Sequence, residues 1–173
     1  DRLRQQIAEL QRSLRQLQDS GDRSAAAREQ AQQEADALGV LLGTLPATGP
    51  GVLVRISDPD RKLRAEDLLD VVEELRGAGA EAISFGPVRV STGTAFTDDA
   101  GSVAVDGTLL SAPYEVLAIG DAKTLDTALN IPGGAAATLR AAGGDLQVSE
   151  RVRVDITATR ALPTPKYAVP SGH

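Results

Sequence analysis

The chain has 173 residues, a formal net charge of −6 and 42% hydrophobic residues, which is enough apolar material for one globular domain with an extension. Because it contains no cysteine, disulfides, thiol nucleophiles and zinc–thiolate sites are excluded. The negative charge, with two Phe, two Tyr and no Trp, argues against nucleic acid as a partner.

Residues 1–45 differ from the rest and are predicted to form a coiled-coil helical segment. The heptad pattern of a coiled-coil seam occurs at Leu3, Ile7, Leu10, Leu14 and Leu17. The letters DSGD at 19–22 predict an interruption, and a second helix over about 23–42 has a softer seam at Ala27, Ala31, Glu34, Leu38 and Leu41. Two interpretations stay open: association of copies through a coiled coil, and one amphipathic helix folded back on the domain. Both make the segment an interaction or spacer element.

The start of the chain leads us to expect an upstream segment. Residue 1 is Asp rather than Met, and the helical pattern is already under way at Leu3. No apolar run approaches the roughly 18 residues that a membrane span needs. The absence of a membrane span from this stretch therefore says little about the full protein.

Residues 46–160 are predicted to form an α/β domain, after a boundary rich in Gly and Pro at 43–51. The pattern predicts a half-buried strand over 51–57 and a helix over 65–77 whose buried stripe is Leu68, Val71, Val72 and Leu75. A strand follows over 80–85, with a continuation or a third strand over 88–90. A polar loop is expected over 91–101, and then a hairpin that turns at Asp106 and Gly107.

The remaining elements follow in the same way. Residues 114–120 are apolar on both faces, which is typical of a central strand, and Asp121 is placed to cap the next helix. Residues 133–144 are either a short helix bracketed by glycines or a loose loop. The last strand is predicted to have one apolar face, made of Leu146, Val148, Val152, Val154 and Ile156. Residues 161–173 are predicted to be a disordered, Pro-rich tail.

This element order predicts an α+β fold, a ferredoxin-like βαββαβ-type sandwich with an inserted hairpin. Crossover helices that return to one sheet lie on one side of it and leave the second face open. On that open face we expect an arginine set that docks an acidic partner or an anionic envelope polymer: Arg55, Arg89, Arg151 and Arg153. The alternative is ordinary cross-strand pairing with Glu115 and Asp155.

The inventory of side chains argues against an enzyme. The single histidine is His173 in the tail, so a Ser-His-Asp triad or a His-ligated metal is excluded. Carboxylate pairs such as Asp58 with Asp60 are predicted to be solvated in turns and loops, where they do not form an acid–base pair. No catalytic residue, cofactor site or metal site is predicted.

One motif resembles a cofactor site without the right context. Gly77, Gly79 and Ala82 have the G-x-G-x-x-A spacing of dinucleotide-binding proteins. A true fingerprint follows a strand and opens a helix, whereas here a helix precedes the glycines and a strand follows them. We therefore interpret the motif as a corner in which Gly77 or Gly79 is a left-handed C-cap.

Several segments together resemble a known family. GPGVLVRISD, DLLDVVEELRGAGAEAIS, VRVSTGTAF and APYEVLAIGDAKTLDTALN are similar to the bacterial family catalogued as domain of unknown function 881, over about residues 26–156. Some members are labelled division initiation proteins. The resemblance implies an N-terminal membrane anchor, a coiled coil and an α/β domain outside the cytoplasm of Gram-positive bacteria, and no established reaction. Where the family commonly has an Asn-Gly turn before the third-strand Arg, this chain has Phe85, Gly86 and Pro87, which puts a ligand role for that turn in doubt.

The first hypothesis is a non-catalytic, membrane-anchored interaction or scaffold protein of the cell envelope, linked to cell division or wall assembly. It would form homo-oligomers through the N-terminal helix and contact other envelope or division proteins. It would be a single-pass protein of the cell membrane with this part on the extracytoplasmic side. The alternative is a small-molecule-sensing regulatory domain of ferredoxin-like fold, which rests on fold analogy.

Overall fold

The computed structural model describes residues 2–164 and 166–169, with side chains from Arg12 onward except those of residues 13 and 14. The chain divides into two compact units, Asp1–Leu38 and Gly39–His173. The predictions made for residue 165 and residues 170–173 of the tail lie outside the described residues. Residues 157–164 and 166–169 form no helix or strand.

The first element, α1 (Arg2–Leu42), is one unbroken helix, so the predicted interruption at 19–22 is wrong. A glycine inside a helix costs about 1 kcal/mol relative to alanine, which a helix of 41 residues absorbs. The hydroxyls of Ser20 and Ser24 donate to the carbonyls of Leu17 and Ser20 at 3.0 and 2.9 Å, so these polar groups are satisfied within the helix. Because the helix continues, the spacing of the first seam extends in phase through Gly21, Ser24, Arg28, Ala31, Ala35, Leu38 and Leu42.

The second unit is an α+β structure with two antiparallel sheets, as the predicted class requires. Its elements in chain order are β1 (Ala47–Ser57), α2 (Ala65–Gly77), β2 (Ala82–Phe85), β3 (Val88–Arg89), β4 (Phe96–Asp99), β5 (Ser102–Val105), β6 (Thr108–Leu110), β7 (Tyr114–Ile119), α3 (Ala122–Leu129), α4 (Ala135–Ala142) and β8 (Asp145–Ile156). The larger sheet has the order β3-β2-β7-β1-β8, and the smaller sheet has the order β4-β5-β6.

Most predicted elements are confirmed. The whole predicted stripe of α2 is buried, β7 lies in the middle of the larger sheet, and residues 135–142 form a helix. The turn between β5 and β6 has Asp106 and Gly107 at φ 47° and 76°. However, β4 lies inside the predicted loop 91–101. The sequence of β4, FTDD, has no alternation of apolar and polar residues that would predict a strand. The strand forms because the turn at Ala100 and Gly101 brings it alongside β5, with which it pairs.

The main core lies on one face of the larger sheet, under the helices. Val52, Val54 and Ile56 of β1 point to this side and have no exposed surface. Phe85 of β2 is equally buried and meets Phe96 of β4 edge to face, with ring centroids 5.4 Å apart. Burial of this apolar area is the main favourable term in folding.

A β-bulge changes the phase of β8. The pairing with β1 joins Gly51 to Arg151 and then Gly49 to Val154, so two residues of β8 stand opposite the single residue Pro50. Proline has no N–H for the ladder, and the bulge falls where that hydrogen bond would be missing. This accommodation allows β1 to begin at Ala47, before the predicted start at residue 51.

The bulge makes the predicted single apolar face of β8 wrong. Leu146 belongs to the main core, whereas Val154 and Ile156 belong to a second cluster on the other face. Val152 is 97% exposed. A one-residue shift reverses the side on which every later side chain lies.

The second face of the sheet is therefore covered at one end instead of being open throughout. The second cluster contains Ala82 and Ile119, and Leu117, Ala47 and Ala158 pack against it. Ala158 belongs to the segment that follows β8, and the sequence pattern gives no sign that this segment returns over the sheet.

Candidate functional site

Arg89 of β3 is buried, with 2% of its surface exposed, on the second face of the sheet. Its Nη2 donates to the carbonyl oxygen of Val40 at 2.7 Å, and its Nη1 donates to those of Leu45 at 2.9 Å and Ala158 at 3.1 Å. We call Arg89 and these three carbonyls the carbonyl clasp. It holds together the last turn of α1, the segment before β1 and the segment after β8.

The carbonyl clasp compensates a buried charge. Burial lowers the pKa of Arg89 from its ordinary value, because desolvation disfavours the charged form. Three carbonyl oxygens partly replace its water shell, and a cation suits the negative end of the α1 helix dipole. Gly43, at φ +80°, ends α1 directly beside the Arg89 side chain, and its carbonyl accepts from the Arg160 amide at 2.9 Å.

The predicted arginine set is not brought together on one exposed surface. Arg89 is inside the carbonyl clasp because residues 40–45 and 158 cover it. Arg151 pairs with Gly51 on the second face, but the bulge places Arg153 on the opposite face. Arg55 is exposed and bonds to Glu115, its direct partner across the strands, at 3.0 Å.

Arg153 is also paired. Its guanidinium lies 2.9 Å from the carboxylate of Asp155, which raises the pKa of Arg153. The same hydrogen bond lowers the pKa of Asp155, helped by a bond from Thr48. The cross-strand pairing alternative is therefore what the structure shows for Arg55, whereas Arg153 pairs with Asp155 within the same strand, β8. A docking role for Arg151 stays a prediction.

Several aspartates act as caps and turn residues. Asp98 accepts from the Ala65 amide at 2.9 Å at the start of α2, and Asp106 accepts from the Ala95 amide at 2.8 Å. Asp121 accepts from the Thr124 amide at 2.8 Å, which confirms the predicted cap of α3. Its bonds from the Thr124 hydroxyl and amide lower the pKa of Asp121. These carboxylates stabilise the backbone locally.

The glycine-rich motif forms the predicted corner. Gly79 has φ +89°, and the Ala80 amide donates back to the Leu75 carbonyl at 2.9 Å, as in a left-handed helix C-cap. β2 begins three residues later, at Ala82. The negative end of the α2 dipole faces the glycines, which is unfavourable for a phosphate.

The described residues of the second unit form at least three clefts. One of about 610 Å³ lies against α2 and α3 near Lys123 and Ile131. One of about 340 Å³ is mainly apolar and includes Phe85 and Leu110. The third, of about 300 Å³, is the most enclosed and has mainly polar walls. We call it the polar cavity, and its polar side chains are Asp58, Arg61, Ser102, Ser111 and Tyr114.

The loop after β1 shapes the polar cavity. Asp58 is 6% exposed, and its two carboxylate oxygens accept from the amides of Lys62 at 2.8 Å and Leu63 at 3.1 Å. The prediction that this aspartate is solvated is therefore wrong, because it holds the loop from inside. Arg61 is the last residue of a tight turn, in which its amide donates to the Asp58 carbonyl. The φ of Arg61 is +54°, in the left-handed region.

Tyr114, the first residue of β7, is the most buried of the hydroxyl-bearing residues that line the polar cavity, with 5% of the residue exposed. Burial raises the pKa of Tyr114, Asp58 raises it further, and Arg61 acts in the opposite direction. Sequence reasoning missed this site because Asp58 and Arg61 lie more than 40 positions before Ser102, Ser111 and Tyr114 in the chain. The sequence signal for this site is the segment SDPDR at 57–61, in which Pro59 favours a tight turn. That turn places Arg61 at the wall of the polar cavity.

In residues 2–164 and 166–169, no helix combines the length and apolar character that crossing a membrane requires. The same residues contain no group of three or more His, Asp or Glu that could hold a metal ion.

Known proteins provide close comparisons. UPF0749 protein Rv1825 of Mycobacterium tuberculosis and UPF0749 protein Mb1856 of Mycobacterium bovis are each 44% identical to this chain over 172 residues. The alignments cover 97% of this chain and 59% of each relative, so the chain spans about three fifths of their length.

A solved structure agrees with the fold. The crystal structure of an uncharacterized conserved protein from Mycobacterium tuberculosis is 44% identical in sequence and superposes with a TM-score of 0.74, over 80% of this chain and 99% of that one. A family described as "Bacterial protein of unknown function (DUF881)" matches residues 34–169. The family resemblance of the sequence is thereby confirmed, and the chain belongs to the bacterial DUF881 family.

Proposed function

We propose that the chain is a non-catalytic interaction module in which α1 joins copies of the protein and the second unit presents surfaces to partners. The observation that carries this proposal is the unbroken α1, with Leu17 and Leu38 exposed at 67% and 58% and three heptads apart on one seam. Exposed leucines on one seam of a long helix gain stability by burial, and a second copy of the helix supplies the matching surface.

The non-catalytic part of the proposal is supported by the state of the carboxylates. Asp98, Asp106 and Asp121 each accept a backbone amide at a cap or turn. Asp58 has both oxygens engaged in the same way. General acid–base catalysis needs carboxylates with separated environments that face a substrate.

We propose the cell envelope as the place of action, with cell division or wall assembly as the process. In this proposal, a single-pass anchor outside this chain holds the protein at the cell membrane, with this part on the extracytoplasmic side. Support comes from the family resemblance. Partners would be further copies of the chain and other envelope or division proteins.

We assign the second unit to the ferredoxin-like type. The strand order β2-β7-β1-β8 has every neighbour antiparallel, and α2 connects β1 to β2 while α3 and α4 connect β7 to β8. This order supports the predicted βαββαβ arrangement, with β4–β6 as an insertion larger than the predicted hairpin.

Because the chain has no native cysteine, single cysteines test the helix pairing directly. Leu17→Cys and Leu38→Cys place a thiol on the seam, and Ala25→Cys and Ala37→Cys are matched exposed controls off the seam. We expect disulfide-linked dimers of the two seam variants under mild oxidation, since a parallel, in-register pair brings identical residues together. Equal crosslinking of seam and control variants, or a wild-type chain that sediments as a monomer at all concentrations, contradicts the proposal.

A second candidate function, small-molecule sensing, is favoured by one observation. The polar cavity is the most enclosed of the three clefts described above and has charged and hydroxyl side chains that converge on it from three segments of the second unit. Binding sites for small molecules commonly combine a concave shape with a few placed polar groups.

A further inference from the structure

We propose that the polar cavity binds the carboxylate group of a small organic acid, with Arg61 as its counter-charge and the cavity hydroxyls as further donors. Those hydroxyls belong to Ser102, Ser111 and Tyr114. The inference deepens the second candidate function. It does not involve α1, so its failure would leave the test of helix pairing untouched.

The loop holds Arg61 in a defined position. The Arg61 amide closes the turn on the Asp58 carbonyl at 3.3 Å, and the Asp58 carboxylate fixes the next two amides, those of Lys62 and Leu63. Arg61 itself is in the left-handed region, which costs conformational energy for a residue other than glycine. The loop therefore keeps an arginine at a position where glycine would be less strained.

The donors of the polar cavity have no protein acceptor. Within the described residues, the Arg61 guanidinium forms no ion pair or hydrogen bond, and the hydroxyls of Ser102, Ser111 and Tyr114 donate to no protein atom. Among the described residues, every buried polar side-chain atom has a hydrogen-bond partner. The cavity donors have no such partner, so they must be in contact with solvent. They are free to turn toward a ligand that supplies acceptors.

The charges of the loop favour one negative charge on the ligand. Asp58 lies in the same cavity as Arg61, so a dianion such as phosphate would meet a fixed carboxylate as well as the guanidinium. Asp60 is neutralised by Lys62 at 2.9 Å. A carboxylate matches the planar fork of arginine, and its oxygens accept several hydrogen bonds. The volume of about 300 Å³ is at the lower end for ligand sites and suits a small acid.

The experiment is a titration of the isotope-labelled chain, followed by the NMR shifts of the Lys62, Ser102 and Ser111 amides at constant ionic strength. Acetate, propionate and lactate are compared with their neutral amides, and trialanine with its C-terminal amide. We expect saturable shifts with the carboxylates and none with the amides. The trialanine arm distinguishes a protein C-terminus from a free acid as the source of the group.

Variants separate charge from fold. Arg61→Gln should weaken binding about tenfold or more, Arg61→Lys should retain part of it, and Arg55→Gln should leave it unchanged. Arg61→Gly should abolish binding while it raises the midpoint of thermal unfolding, so loss of binding cannot be attributed to loss of structure. Equal affinity for acids and amides, unchanged binding by Arg61→Gln, binding of inorganic phosphate alone, or no shift with any carboxylate overturns the proposal.

Discussion

Val40 and Arg89 lie 49 positions apart in the chain and are joined by a hydrogen bond of 2.7 Å between the Val40 carbonyl and the arginine Nη2. This bond attaches the last turn of α1 to the edge strand β3. The same guanidinium contacts Leu45 and Ala158, so one side chain connects three segments that no strand pairing joins.

Replacement of Arg89 by Met should therefore be strongly destabilising. It leaves three carbonyls without their donor, and we expect the free energy of unfolding to fall by about 3 kcal/mol. Arg89→Lys should cost less, because one ammonium can still reach part of the clasp. The measurement is urea denaturation followed by the fluorescence of the buried Tyr114. The control is Arg55→Met, an exposed ion-pair partner whose loss should cost no more than about 1 kcal/mol; equal losses for Arg89 and Arg55 would refute the clasp.

Val152 and Val154 should respond in opposite ways to the same substitution. Val154→Asp puts a charge into the second apolar cluster and should lower the free energy of unfolding by about 3 kcal/mol or more. Val152→Asp should change it by no more than about 0.5 kcal/mol, because that side chain is 97% exposed. The same urea experiment checks both. Similar effects would show that the two residues share a face, as a strand without the bulge requires.

Gly77 and Gly79 provide a matched pair at the corner after α2. A Cβ added to either residue would meet no atom within 4 Å, so neither substitution causes a steric clash. The two sites are therefore distinguished by their backbone conformation. Gly79→Ala should destabilise by about 1 kcal/mol because φ is +89°. Gly77→Ala, in the last position of the helix, should stabilise by up to about 1 kcal/mol. Thermal unfolding would count against this account if both changes had the same sign.

Asp121 should make the free energy of unfolding depend on pH. Its hydrogen bonds from Thr124 hold its pKa below the ordinary aspartate value, so its contribution is present above the unfolded-state pKa and is lost as the pH falls through the lower, folded-state pKa. Asp121→Ala should be less stable than the wild type at pH 7, and the difference should shrink below about pH 4. Asp121→Asn keeps a capping oxygen and should retain most of the stability at neutral pH. A wild-type advantage that is constant down to low pH would disagree with this origin.

Elements that depend on local pattern could be predicted from the sequence. The stripe of α2, the apolar run of β7 and the cap at Asp121 each carry their signal within about ten residues. The phase of β8 could not be predicted, because the bulge depends on Pro50, which lies in another strand. The continuity of α1 through Gly21 does not follow from local pattern, because one glycine disfavours a helix locally whereas the rest of the 41-residue helix compensates for it.

The candidate site was less accessible to sequence reasoning than the fold. Arg89 was predicted from strand alternation to be available for docking, but its burial depends on residues 40–45 and 158, which come from both ends of the second unit. A single arginine in a polar turn, such as Arg61, gives by itself no sequence signal for a binding site because such residues are common. Its neighbours Ser102, Ser111 and Tyr114 are defined only when the smaller sheet packs beside β7.

The position of β1 between β7 and β8 in the larger sheet also sets the order in which the chain can complete its fold during synthesis. β1 leaves the ribosome before the rest of the sheet, yet both of its partners, β7 and β8, are made much later. Ala158 is made later still, so the hydrogen bond from the Arg89 guanidinium to the Ala158 carbonyl can form only after β8 is complete. The nascent second unit is thus completed only after β8 and Ala158 have been made, and on a ribosome stalled within β8 the Arg89 guanidinium would lack one of its three acceptors.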